Sequence, residues 1–341
     1  MKIIFTIGDV NGVGLEVCLK ALLNNDAWFI PHSFFIMGNK NILKYIIDKN
    51  YSELAKIDNT LNEIVLKSGN KITIIELKHT DILQIAKQIN NNKLDFVLGE
   101  VSKEAGIIAK HSIIEATKLT ISKEFDAIIT LPISKEAIHL SDTFFIGHTE
   151  LLTKLCNKKN SIMILFADKL RVALATIHTP IFKVSKQITS KRLRTLCKNF
   201  NSTLKKDFGI DNPKIAMLGL NPHCGDNGMF GTEENKIIKP TIEVMKKKGI
   251  GIDGTFSADG FFASKTYLKY DGVIAMYHDQ GLIPLKILAN GGGVNFTANL
   301  PIVRTSPDNG TGFEIAGKNI ANEQSMIDSI QSAIMIAKNR A

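Results

Sequence analysis

Gly272-Val273-Ile274-Ala275-Met276-Tyr277-His278-Asp279-Gln280-Gly281 decides the fold. Its first half is a short apolar run with β-branched residues, the length of a buried strand, and its second half is a polar turn. Seven other runs read as strands in the same way: Lys2–Ile7, Phe34–Met37, Lys71–Glu76, Ala127–Thr130, Ser161–Phe166, Arg171–Thr176 and Lys214–Leu218. Between them lie helix-like segments, Gly14–Leu23, Val101–Ile121, Ser190–Leu204, Glu233–Lys247 and Gln324–Lys338. The segment from Val101 sets Ala105, Ile108, Ala109, Ile113, Ala116 and Leu119 on one stripe. Such alternation predicts an α/β protein with mainly parallel sheets. The Asn- and Lys-rich stretch Asn24–Lys93 carries no chemical motif and is expected to be peripheral scaffold.

In open α/β sheets, ligands bind beyond the carboxyl ends of the strands. Three of the eight histidines stand there: His178 after Arg171–Thr176, His223 after Lys214–Leu218, and His278 after Gly272–Met276. His32, His79, His111, His139 and His148 do not follow this rule. Neutral imidazole is the commonest metal ligand, and three histidines with open positions suit a catalytic ion. A run of His278, Asp279 and Gln280 after a buried strand is costly unless the groups coordinate or hydrogen-bond something. Asp279 is a candidate to orient a metal ligand or to act as a base.

Two further features suit oxyanions. Gly147-His148-Thr149-Glu150 precedes the helix-like Leu151–Cys156, where free backbone N–H groups, a hydroxyl and an imidazole converge; the alternative is that Thr149 is only a helix cap. Lys286, Asn295 and Arg304 are each set among apolar residues. An arginine after Pro301-Ile302-Val303, in a chain that otherwise prefers lysine, suggests a bidentate donor to carboxylate or phosphate, or an internal salt bridge.

The 341 residues are 44% hydrophobic and 22% charged, a globular balance, and the length suggests two domains. No stretch approaches the ~20 apolar residues of a membrane span, and the apolar start is cut short by Gly8-Asp9, unlike a signal peptide. A cytoplasmic protein, with no membrane partner, is expected. Cys18, Cys156, Cys197 and Cys224 form no CxxC pair and read as free thiols. Net charge is +9, but 37 of the 42 basic residues are Lys and only five are Arg, without a basic aromatic stripe, so no nucleic-acid partner is expected. Gly249-Ile250-Gly251-Ile252-Asp253-Gly254 matches a dinucleotide fingerprint, yet follows a helix-like segment rather than a strand, so Gly249 reads as a helix end.

Taken in order, these motifs resemble the 4-hydroxythreonine-4-phosphate dehydrogenase family. They are Gly8-Asp9…Gly12-Val13-Gly14…Glu16, Leu131–Lys135, Gly147–Glu150, Thr176…His178, Leu220–His223 with Gly231–Glu234, and Ser257-Ala258-Asp259. Ala275–Gly281, Leu285-Lys286, Val294-Asn295, Leu300–Ser306, Gly310-Thr311 and Ala316-Gly317 follow. The resemblance implies two α/β/α domains like those of isocitrate and isopropylmalate dehydrogenases, with the active site in a cleft between them. We set the boundaries at 1–133 plus 287–341, and 134–286. It implies a homodimer sharing its active sites, metal ligation by His178, His223 and His278, and substrate binding by His148, Thr149, Lys286, Asn295 and Arg304. The implied cofactors are NAD or NADP and one divalent ion (Zn, Mg or Co), with Asp308–Lys318 resembling a nucleotide-binding loop. The expected reaction is oxidation of the phosphorylated hydroxy amino acid at C3, followed by loss of CO2. A paralogue acting on a four-carbon sugar-acid phosphate is the alternative. Three positions depart from the family pattern: Val10-Asn11 replaces Pro-Ala, Ser134 stands where Asn is usual, and Asn309 replaces His.

Overall fold

The computed structural model describes every residue except Asn59. The chain forms two compact units, Met1–Lys159 with Leu300–Ile334, and Asn160–Asn299 with Met335–Ala341. These boundaries differ from those drawn from the sequence for two reasons. The helix Lys135–His139 packs on Lys103–Ile121 so closely that a Cβ at Gly106 would lie 2.2 Å from the carbonyl oxygen of Ala137, which holds residues after 133 in the first unit. The strand Val294–Ala298 pairs within the second unit.

The first unit begins with β1 (Lys2–Thr6), β2 (Ser33–Gly38), β3 (Ala55–Asp58), β4 (Glu63–Leu66), β5 (Lys71–Glu76) and β6 (Ala127–Ile129). The second contains β7 (Ile162–Ala167), β8 (Leu170–Leu174), β9 (Lys214–Leu218), β10 (Gly251–Phe256), β11 (Gly272–Ala275) and β12 (Val294–Ala298). The chain then returns to the first unit in β13 (Arg304–Pro307). All eight strands expected from the sequence are present; β3, β4, β10, β12 and β13 are additional.

In the first unit the strand order is β13-β6-β1-β2-β5-β4-β3. The run from β13 to β5 is parallel, and β4 and β3 close the edge antiparallel. Consecutive side chains of a strand face opposite sides of its sheet. Ile3, Ile4 and Phe5 are all fully buried, so both faces of β1 are covered, as expected for a parallel sheet flanked by helices. The helix Gly14–Leu23 buries eight of its ten residues, and Ser112, on the long helix Lys103–Ile121, accepts a hydrogen bond from Ile7 N and donates to Met37 O, tying that helix to two strand ends.

In the second unit the order is β10-β9-β11-β8-β7-β12. The first four strands are parallel, while β7 and β12 run antiparallel to their neighbours. Ile215 to Leu218 and Ile274 to Ala275 are completely buried, so β9 and β11 are also covered on both faces. The rejected dinucleotide match begins as expected at a helix end: Gly249 follows the helix Lys239–Lys246 with φ +75°, and Gly251 then starts β10.

Candidate functional site

The parallel strands β8, β11 and β9 are adjacent in that order, so their carboxyl ends share one edge of the sheet. His178, His278 and His223 lie just past these three ends. Thr176 Oγ1 donates to Met276 O at 2.7 Å, clamping the end of β8 to that of β11. Gln280 does the same between β11 and β9: its Oε1 accepts from Met276 N and its Nε2 donates to Gly219 O, each at 2.7 Å. The polar residues after the buried strand therefore have partners, and they fix the loops from which the histidines project.

His278 differs from the sequence expectation in being the first residue of the helix His278–Ala289. Its ring centroid lies 6.0 Å from that of His178. Its Nδ1 sits 2.7 Å from Asp279 Oδ1, an arrangement that orients the ring and leaves Nε2 for another partner. His223 is placed by an unusual turn. His223, Cys224, Gly225, Asp226 and Asn227 all have left-handed φ between 39° and 79°. Four of these five have side chains, and such residues cost about 1–2 kcal/mol each in this conformation. The buried Glu234 carboxylate stabilises the entry to the turn, with Oε1 accepting from Leu220 N at 2.7 Å and Asn221 N at 2.8 Å, and Oε2 from Asn221 Nδ2 at 2.9 Å. Glu234 is thus a positioning residue that periodicity alone did not single out. Also in this unit, Asn295 on β12 has a buried Oδ1 with no hydrogen-bond partner, and Lys286 is exposed on the helix His278–Ala289.

The first unit has its own cluster. Arg304 opens β13 and is 1% exposed, with Nε and Nη2 donating to Thr130 Oγ1 at 3.0 and 2.5 Å. Burial pushes its guanidinium down to about 9. His148 begins the helix His148–Leu155, which is capped by Gly147 without any side-chain bond, so Thr149 is not the cap. Burial first, then Arg304 and Lys135, hold the His148 imidazole well below its ordinary range, and its buried Nε2 has no hydrogen-bond partner. Lys135 reaches over the same turn: a Cβ on Gly147 would lie 3.5 Å from its Nζ. Lys135, the last residue of the Leu131–Lys135 motif, thus joins this cluster. A neutral imidazole influenced by two cations, beside a helix start without a side-chain cap, has the chemistry that suits an anion.

The loop after β1 adds Asp9, buried with Oδ1 accepting from Asn11 N at 2.9 Å and Oδ2 unpartnered. Burial raises its carboxyl to about 6, against the lowering effect of bonds from the Asn11 and Ser134 backbones. The adjoining Gly12 touches the stretch after β13: Val13 N donates to Thr311 O at 2.8 Å, and a Cβ on Gly12 would lie 2.7 Å from the same oxygen. Asn309 in that stretch has a buried, unpartnered Oδ1.

The family model described as "Pyridoxal phosphate biosynthetic protein PdxA" matches residues 31–333. The chain belongs to the PdxA family. A 4-hydroxythreonine-4-phosphate dehydrogenase from Sulfurihydrogenibium sp. is 39% identical, covering 100% of this chain and 99% of the relative. A D-threonate 4-phosphate dehydrogenase from Pectobacterium atrosepticum is 37% identical over 97% of this chain and 98% of that one. Among solved structures, 4-hydroxythreonine-4-phosphate dehydrogenase from Klebsiella pneumoniae superposes with TM-score 0.80 at 34% identity, covering 98% and 99% of the two chains. The isocitrate dehydrogenase of Methylococcus capsulatus, at TM-score 0.50 and 12% identity, shares the fold alone, in line with the expected dehydrogenase architecture.

This PdxA-family chain accommodates its departures locally. Asn11 donates to Glu100 O at 2.8 Å and Ser102 Oγ at 3.2 Å, while Ser134 caps the helix Lys135–His139 through Ala137 N. Asn309 Nδ2 donates to Gly310 O within its own loop.

Proposed function

We propose that the chain oxidises 4-hydroxythreonine 4-phosphate at C3, giving 2-amino-3-oxo-4-phosphooxybutanoate, which loses CO2 to yield 3-amino-2-oxopropyl phosphate for pyridoxal phosphate synthesis. Family membership and the named relatives support the dehydrogenase reading. The observation that carries the substrate class is the buried pairing of Arg304 with the neutral, unpartnered His148 beside Lys135, which favours an anion such as a phosphate or carboxylate.

In this reading Arg304, His148, Thr149, Lys286 and Asn295 bind the substrate's phosphate and carboxylate. Anchoring both anionic groups fixes the C3 hydrogen and hydroxyl in one orientation. His178, His223 and His278 hold a divalent ion (Zn, Mg or Co), and Asp308–Lys318 receives NAD or NADP. The donor set fits a metal, since these are imidazoles from adjacent strand ends and His278 has its Nδ1 backed by Asp279. The ion would supply Lewis acidity toward the C3 hydroxyl, and the dinucleotide would supply hydride acceptance. The bond between Asp279 and His278 favours an orienting role for Asp279 over that of base.

We also propose a cytoplasmic homodimer. On the helix His278–Ala289, Ile283 and Ile287 are 58% and 74% exposed one turn apart, an apolar face that a second copy would cover. Among the described residues no helix is long and apolar enough to cross a membrane.

Replacing His223 with Ala is expected to abolish metal-dependent reduction of NAD(P), read as absorbance of the reduced nicotinamide. Full turnover in the presence of a chelator refutes the metal assignment. The second reading, oxidation of a four-carbon sugar-acid phosphate, is favoured by the D-threonate 4-phosphate dehydrogenase relative. Side-by-side kcat/KM values for the two phosphates decide between them.

A further inference from the structure

We infer that His79, Asp81 and His111 form a separate site for a divalent transition-metal ion, stapling two helices of the first unit. Each of the three offers one ligand atom, and these atoms all lie within 4.8 Å of one another. Among the described residues this is the only group of three or more potential His, Cys, Asp or Glu ligands so closely gathered. None of the three belongs to the strand-end histidines, and the inference does not rest on the function proposed for those.

The placement follows from two helices. His79 is the N-cap of Thr80–Asn90, Asp81 is in its first turn, and His111 lies within Lys103–Ile121. Asp81 Oδ2 is 3.5 Å from His79 Nδ1 and 4.0 Å from His111 Nε2. A tetrahedral ion with ligand bonds of about 2.0–2.2 Å needs ligand atoms roughly 3.3–3.5 Å apart, so rotamer adjustments that close the gaps by at most about 1.5 Å complete the site. The Asp81 and His79 side chains are 52% and 43% exposed, which leaves room for water in the remaining position. Two imidazoles and one carboxylate suit zinc, cobalt or nickel better than magnesium or calcium.

His79 Nδ1 accepts a hydrogen bond from Asp81 N at 3.3 Å, long enough to yield to an ion. The His79 and His111 rings stack with centroids 3.7 Å apart, which holds the two imidazoles together. The competing reading is that the three side chains serve only as a cap and a stacked contact.

His111 adjoins Ser112, whose hydroxyl holds Ile7 N just ahead of the Gly8-Asp9 turn. An ion here would thus brace the helix that supports the end of β1.

Equilibrium dialysis of the full-length protein with Zn2+, and the visible spectrum with Co2+, test the assignment. In a His223→Ala background, one bound ion with tetrahedral cobalt absorption is expected. Adding His111→Ala should remove that ion and its absorption band. Asp81→Asn, an exposed change that leaves folding intact, should weaken zinc binding by at least ~10-fold and leave catalytic turnover in the otherwise wild-type enzyme unchanged. Unaltered zinc stoichiometry and affinity in folded His111→Ala and Asp81→Asn proteins overturns the inference, whatever the fate of the strand-end site.

Discussion

Asp9→Asn tests the electrostatics of the first unit most directly. The Asp9 carboxyl titrates near 6 in the folded chain against an ordinary value of 3.8, because burial penalises its charge more than the Asn11 and Ser134 backbone bonds stabilise it. The difference is about 2 pH units, or about 3 kcal/mol at 1.36 kcal/mol per unit. The sign is fixed by linkage: below pH 3.8 both folded and unfolded chains carry the proton, and the group costs nothing. As pH rises toward 6 the unfolded chain releases its proton first, so stability falls through this window and stays lower by the full amount above it. Asparagine keeps the acceptor for Asn11 N but places an N–H where the unpartnered Oδ2 stands, at a pH-independent cost of about 1–3 kcal/mol. The net change at pH 7 is therefore small. The informative quantity is the stability difference between variant and wild type, which should grow in the variant's favour by about 2 kcal/mol between pH 4 and pH 6, most of the full amount. Urea unfolding followed by circular dichroism across pH 4–8 measures it. A difference that stays constant across that range refutes the burial argument for Asp9.

Other expectations concern binding and assembly. Arg304→Lys retains charge but loses the planar fork held on Thr130, and should raise KM for the phosphorylated substrate roughly 10–100-fold, corresponding to loss of a charge-assisted bond of about 1.5–3 kcal/mol; initial rates at varied substrate check this, and an unchanged KM removes Arg304 from the anion site. Gly12→Ala drives a Cβ to 2.7 Å from Thr311 O, a backbone atom, and should destabilise by about 1–3 kcal/mol while raising KM for NAD(P), seen by thermal melting and steady-state kinetics; an unaltered cofactor KM detaches this loop from the nucleotide. Ile283→Asp with Ile287→Asp should convert a dimer to monomers in analytical ultracentrifugation, because both exposed side chains share one helix face; an intact dimer places the interface elsewhere.

What the sequence displayed follows from where each residue is buried. β1, β6, β9 and β11 are covered on both faces, so they appear as unbroken apolar runs. β13 does not, because Arg304, Thr305 and Ser306 are buried polar residues satisfied by partners far away in sequence, such as Thr130 and Ser329 O. β12 alternates Asn295 and Thr297 with apolar neighbours, and β10 is interrupted by Gly254, so neither matches the pattern of a buried parallel strand. The helix after β11 contains Gly281 and Pro284, both helix-breaking signals, yet His278 starts it. The stretch Asn24–Lys93 also holds two helices, Lys40–Asn50 and Thr80–Asn90, capped by Asn39 and His79; each buries a short apolar stripe, Ile42, Leu43, Ile46 and Ile47 in one and Ile82, Ile85, Ala86 and Ile89 in the other, set among Asn and Lys residues. The strand-end histidines were legible because topology alone places the ends of neighbouring parallel strands together. His79 and His111 had no such marker. They meet only because two helices pack side by side, and pairwise helix packing leaves no local signature when the contacting residues are polar and distant in the chain. A rule that searches strand ends will therefore find side chains that a sheet gathers and overlook those that a helix pair gathers.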